Sequence, residues 1–296
     1  MSKRLLIAVL AACLGGCAAQ MQPVADFGAA ANHVAIAYHP FAADMGVSCE
    51  QRERYVALAN PGPFDDAAAE RAAAATCAPL KEAGATAALF GQALGDYATA
   101  LVKASGAKAA VFDADLKGLS GAAAALATKD GTPIFDSSKV SAASKIARAA
   151  AALFTEAKIQ VLTRQTLADN HDALVVTVDA MKTYADRIYT GQLTTTRGVM
   201  TGELDRLVRA STAPTQSEVE SRLPWRYAQA AARADIAANE LQARRVRAFD
   251  KAADALVAAH SDLIANFDKI GGARRLELVS EFVAQAQAIS DDAAAL

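Results

Sequence analysis

The stretch "VRAFDKAADALVAAHSDLIANFDKI", residues 246–270, decides the fold. Its inward positions run Val246, Phe249, Ala253, Leu256, His260, Leu263, Phe267 and Ile270, in steps of 3, 4, 3, 4, 3, 4 and 3. Alternating threes and fours keep one stripe on one side of an α-helix, whereas a strand would repeat every second residue. A seven-residue period of this kind suits helices lying side by side at a shallow angle, as in a coiled coil. A second stretch repeats it with Leu167, His171, Leu174, Val178, Met181, Ala185 and Ile188, in steps of 4, 3, 4, 3, 4 and 3. Gly271-Gly272 breaks the first stretch, and "ARRLELVSEFVAQAQAI" turns back with Leu276, Val279, Val283 and Ala286 on one face. Two matching seams separated by polar linkers predict an all-α, Ala-rich antiparallel helical bundle with long heptad-patterned helices.

Composition points the same way. Hydrophobic residues make up 53% of the 296, yet aromatics are only 6%. The difference is alanine, about a quarter of the chain, which has the best helix propensity and little side chain to bury. Such a chain favours long helices packed closely together. The net charge of −2 and a pI near 6.1 give no basic field that would point to nucleic acid.

Prolines punctuate the earlier part. The chain has none between Pro133 and Pro214 or after Pro224, and those are the places where long helices can run. Before them, "VADFGAAANHVAIAYH" and "MGVSCEQRERYVALAN" are expected as two helices on either side of Pro40. Residues 65–104 form a third, capped by Asp65-Asp66 and kinked or restarted at Pro79, with a stripe through Leu80, Leu89, Phe90, Leu94, Tyr97 and Leu101. Ser137-Ser138 is a natural cap for the following helix, and Pro224 sits where the last long helix could begin. Gly191, Gly198 and Gly202 each weaken a helix by about 1 kcal/mol relative to Ala, which suggests a bend or hairpin end between the seams.

The amino end carries a different signal. Lys3 and Arg4 precede an apolar run from Leu5 to Leu14, which is too short to span a bilayer and ends in small residues, the pattern of a secretory signal. Leu14-Gly15-Gly16-Cys17 resembles the lipobox of bacterial lipoproteins, with Gly where Ala or Ser is commoner. The resemblance implies that the signal, residues 1–16, is cut and that Cys17 is acylated. It further implies anchoring in the cell envelope, with Ala18 after the cysteine favouring the outer membrane, facing the periplasm or the cell surface. Two or three acyl chains hold such an anchor firmly. Cys13 leaves with the signal, and Cys49 and Cys77 remain. In an oxidising compartment they read as one disulfide, since no C-x-x-C motif supports a reactive pair.

Residues 17–132 are then an N-terminal helical region holding the Cys49–Cys77 bridge, and 133–296 a long-helix bundle shared with it. His171 and His260 each occupy a seam position. Facing one another, they could hold a ligand or metal or sense pH, although ordinary hydrogen-bonded seam histidines are the plainer expectation. Glu-x-x-His, the usual companion of bundle metal sites, is absent from the sequence. His33 and His39, near Asp26 and Asp44, do not share a helical face. Arg244, Arg245 and Arg247 could contact lipid headgroups or an acidic partner, with a solvated face as the default. Trp225 is expected as a core plug at a helix end, or else an interface anchor.

Hydrolase, phosphate-loop and dinucleotide motifs are missing from the sequence, so no enzyme and no cofactor beyond the covalent lipid are expected. The sequence points to a non-enzymatic binding or structural module for another envelope protein. The alternatives are a small-molecule or metal carrier with a cavity between helices and, third, a membrane-active protein, for which residues 107–128 are the one candidate segment.

Overall fold

The computed structural model describes residues 21–60, 62–106, 135–155, 159–211, 219–267 and 277–294. Among these there are seven α-helices, one π-helical stretch and no strand, the all-α bundle read from the heptads. The helices are α1 (Gln22–Ala59), α2 (Asp66–Ala104), α3 (Ser137–Thr155), α4 (Ile159–Thr183), α5 (Thr190–Ser211), α6 (Val219–Asn266) and α7 (Glu277–Ala294). The π-helix, Tyr184–Tyr189, joins α4 to α5. No described helix is long and apolar enough to cross a membrane. Cys17, the signal and the segment 107–128 lie outside the described residues.

The structure departs from the local expectations in five places. Pro40 lies inside one continuous α1, and Pro79 inside one continuous α2. A proline removes one helical hydrogen bond, but Tyr38, Phe41, Ala42 and Met45 beside Pro40 are all buried, and that packing holds the helix through it. Pro224 lies more than a turn inside α6 rather than at its start. The glycines at 191, 198 and 202 do not end a helix: they lie inside one continuous α5, and the irregularity is the π-helix just before it. The start of α3 is capped by Asp136 rather than by the serines. Its Oδ1 accepts from the backbone N–H of Ser138 and of Lys139, both at 3.0 Å, and from Ser138 Oγ at 2.6 Å. Asp65 caps α2 as expected, accepting from Ala68 N at 3.0 Å.

The chain divides into two compact units, with boundaries that fall inside helices. Unit 1 comprises Met1–His39, Thr86–Lys182 and Ala248–Leu296. Its interior is built from rings: Phe90 stacks on Phe135 with centroids 4.4 Å apart, Tyr38 meets Phe249 at 5.4 Å, and Phe27 meets Phe282 at 5.6 Å. Where alanine-rich helices meet, the backbones come close; a Cβ on Gly28 of α1 would lie 2.7 Å from the Ala98 carbonyl oxygen of α2. The two heptad seams face each other here. Leu167, Leu174, Val178 and Met181 of α4 and Phe249, Ala253, Leu256 and Leu263 of α6 are buried. On the outer edge of that contact, Lys182 Nζ reaches Asp254 at 2.5 Å and Asp250 at 3.3 Å.

Unit 2 comprises Pro40–Ala85 and Thr183–Arg247. Cys49 of α1 and Cys77 of α2 are joined by a disulfide with Cα atoms 5.8 Å apart. Gly84 allows an approach no side chain would, since a Cβ there would lie 2.2 Å from the Ala42 carbonyl oxygen. Hydroxyls and amides do much of the joining. Ser48 and Thr196 hydroxyls lie 3.1 Å apart, Gln192 Nε2 donates to Thr196 Oγ1 at 3.1 Å, and Asn239 Nδ2 donates to Leu193 O at 3.1 Å. A small apolar cluster of Tyr55, Met200 and Ala232, flanked by Val199, Leu204 and Ile236, adds to it.

Candidate functional site

The heptad seams of unit 1 bring His171 and His260 together. Position 171 is an inward slot of α4 and position 260 an inward slot of α6, so two helices packed seam to seam must set these side chains opposite one another. The two Nδ1 atoms are 3.0 Å apart and the rings lie 7° from parallel. His260 is fully buried, whereas His171 is partly exposed.

Two further groups complete the constellation. Tyr97 of α2, also fully buried, places its hydroxyl 3.1 Å from His260 Nε2. Ser261 Oγ, exposed on α6, lies 3.4 Å from His171 Nε2 and donates to Val257 O at 3.2 Å. Phe27 of α1 closes the apolar side, its ring centroid 5.4 Å from that of His260. The result is one hydrogen-bonded chain running from a sealed phenol to a surface serine. Burial, chiefly, and the neighbouring His171 imidazole push the His260 imidazole down to about 3, so that ring is neutral at pH 7. Burial raises the Tyr97 phenol well above its ordinary range.

Chemically, each His260 nitrogen faces a hydrogen-bond partner. No group of three or more His, Cys, Asp or Glu side chains suited to a metal ion occurs among the described residues. A zinc site carries at least three protein ligands, and this pair offers two. The arrangement is suited to holding and passing protons along a fixed path.

The other candidates are dispersed. His33 is half-buried and His39 exposed on α1; Asp26 bonds Gln22 Nε2 at 2.8 Å, and Asp44 accepts from Tyr189 at 2.5 Å in unit 2. Arg244 and Arg247 are exposed on α6, and Arg245 is half-buried. Trp225, half-buried in the same helix, is nineteen residues before Arg244, or about 28 Å along the axis at 1.5 Å per residue. They do not form one patch.

Some site residues carried no sequence signal of their own. Tyr97 belongs to the apolar stripe of α2, and only the rule that a buried phenol needs a partner hints at its role. The π-helix places Tyr184 and Tyr189 on one face, buried, with Asp44 beside both. Burial raises the Asp44 carboxyl while the Tyr189 hydrogen bond opposes the rise. A groove of about 430 Å³ in unit 1 is lined by Lys251, Asp254, Ala255 and Ala258 of α6 and by Glu281 and Gln285 of α7. Compared with known proteins, the chain matches no family model, no curated protein and no solved structure.

Proposed function

We propose that this chain is a lipid-anchored protein of a bacterial cell envelope whose helical body is a non-enzymatic binding and structural module for another envelope component. The observation that carries the reading is the Cys49–Cys77 disulfide within a helical core. Such a bridge persists in oxidising compartments, which agrees with the export signal and with Cys17 as the acylated residue. The binding role is supported by the apolar side chains left exposed in unit 2, among them Val56, Leu58, Phe64 and Tyr227, the last 71% exposed. Exposed aromatic and aliphatic side chains of this kind are what protein interfaces draw upon. Membrane attachment would come from the lipid alone.

The test is a photo-crosslinking amino acid placed at Phe64 or Tyr227 in the full-length protein in cells, followed by mass spectrometry of the adducts. One recurrent envelope protein captured from both positions is expected. Adducts of this chain with itself alone would replace the scaffold by a homo-oligomer. In the same cells, labelled palmitate should enter the wild type and not Cys17→Ser; incorporation into both would remove the anchor.

The carrier alternative rests on the groove between α6 and α7, because the histidines proposed for it are bonded to one another. Mass spectrometry of the native protein for a retained small molecule decides it.

A further inference from the structure

The histidine chain of unit 1 has a direction, found by placing every proton. Tyr97's hydroxyl has His260 Nε2 as its partner. If the phenol donates, Nε2 holds a lone pair and the His260 proton sits on Nδ1. That N–H donates to His171 Nδ1, so His171 carries its own proton on Nε2, which faces Ser261 Oγ, and the serine proton goes to Val257 O. Every proton then has an acceptor. In the reverse arrangement His260 Nε2–H donates to Tyr97, and the phenolic proton has no acceptor among the described residues, at a fully buried site. A buried donor without a partner is costly, so the outward direction holds.

A proton added to the pair has nowhere neutral to go. His171's free lone pair is Nδ1, the atom that holds His260. Protonated there, it sets two N–H groups face to face. Either the rings separate and their hydrogen bond breaks, or His260 moves its proton to Nε2, donates to the Tyr97 oxygen and leaves the buried phenolic proton without an acceptor among the described residues. Among the described residues no carboxylate bonds to either imidazole; Asp96, next to Tyr97 on α2, is half-buried with one carboxylate oxygen sealed from solvent. The pair meets Phe27 from α1 and Tyr97 from α2, and Phe282 of α7 lies behind Phe27. On α3, Lys145 donates to Asp169 O at 2.5 Å, which sets another cation two residues before His171. Of the neighbouring acids, Asp172 is exposed and Asp262 accepts from Asn266 Nδ2 at 2.7 Å.

We propose that Tyr97, His260, His171 and Ser261 form an acid-sensitive latch, closed while both imidazoles are neutral, which releases α6 from α2 and α4 within unit 1 when the pair takes up protons. The proposal stands independently of any partner or anchor.

Native-state amide exchange on the purified mature chain from pH 8 to 5, corrected for intrinsic rates, tests it. Amides of residues 256–263 are compared with those around Asn239, in the unit 2 part of the same helix. Opening that takes up two protons lowers protection by up to a hundredfold per pH unit, and opening that takes up one lowers it tenfold. The expected result is a fall steeper than tenfold per unit at 256–263 with no such fall around 239. His171→Gln, which accepts from His260 but cannot be protonated, should reduce it to tenfold or less. A wild-type fall of tenfold or less overturns the latch, as does a variant as steep as the wild type. Nitrogen-15 spectra of labelled histidine decide the direction even if the variant does not fold. Neutral His260 should carry its proton on Nδ1 at pH 8, and a proton on Nε2 would overturn the latch.

Discussion

Unit 1 and unit 2 both bury rings and polar side chains, but unit 2 carries the Cys49–Cys77 bridge and leaves more large apolar side chains exposed. Phe27, Tyr38, Phe90, Tyr97, Phe249 and Phe282 are all fully buried in unit 1. In unit 2 Phe41, Tyr184 and Tyr189 are fully buried and Phe41 stacks on Tyr189, while Val47, Val56, Leu58, Phe64, Val208 and Tyr227 stay exposed. The difference teaches where each unit draws its stability. An interior of aromatic and aliphatic side chains gains from burial itself, at roughly 25 cal/mol per Å². Hydrogen-bonded polar groups gain only about 1 kcal/mol each on balance, and apolar side chains left exposed gain nothing, so the covalent constraint of unit 2 matters more to it. Unit 1 nevertheless holds the more acid-sensitive group, because one imidazole is sealed into its apolar interior.

The comparison can be broken by removing one support at a time. Phe27→Ala in unit 1 should have the largest effect, about 3–5 kcal/mol by denaturant unfolding, since the ring fills space between His260 and Phe282. A loss under about 1 kcal/mol would mean that the ring-built core is not what holds the unit. Removing the disulfide by Cys49→Ser with Cys77→Ser should cost about 3–4 kcal/mol for a loop of 28 residues. Amide exchange should locate that loss in residues 40–85 and 183–247; an equal rise in unit 1 would show that the bridge is not unit 2's own support.

Gly84→Ala should cost about 1–3 kcal/mol, because the added carbon meets the Ala42 carbonyl oxygen. Unchanged stability would show that the helices can move apart freely. The mildest effect per step is that of acid on unit 1. The His260 imidazole is lowered from 6.5 to about 3, so between those values the unfolded chain binds a proton that the folded ring does not. Its contribution is therefore complete above pH 6.5 and falls with acid, by about 1.4 kcal/mol per pH unit for this one proton. Thermal unfolding from pH 8 to 5 measures it. His260→Gln should flatten the profile, and an unchanged slope would place the acid-sensitive group elsewhere.

Much of this was legible before any coordinates. The heptads at 167–188 and 246–270 specify amphipathic helices because the α-helical period is close to the spacing of their apolar residues. They also place His171 and His260 on inward faces. Cys49 and Cys77, expected as one bridge, are joined. Less legible were the helices carried through Pro40 and Pro79, because local propensity stops a helix at a proline while burial on both sides of it keeps the helix going. The π-helix at 184–189 has no sequence mark either.

By itself, then, the sequence determined that the chain is helical and which faces of α4 and α6 turn inward, since each follows from periodicity or propensity along the chain. In α7, by contrast, it is Phe282 rather than Val283 that is fully buried. Only the tertiary structure decided that α4 and α6 meet at their histidines, that Tyr97 caps the pair from a third helix, and that Ser261 gives it an outlet. Those contacts join residues 97, 171 and 260, far apart in sequence. Their geometry depends on which seam packs against which, a choice made by the summed fit of whole helix faces rather than by any local stretch.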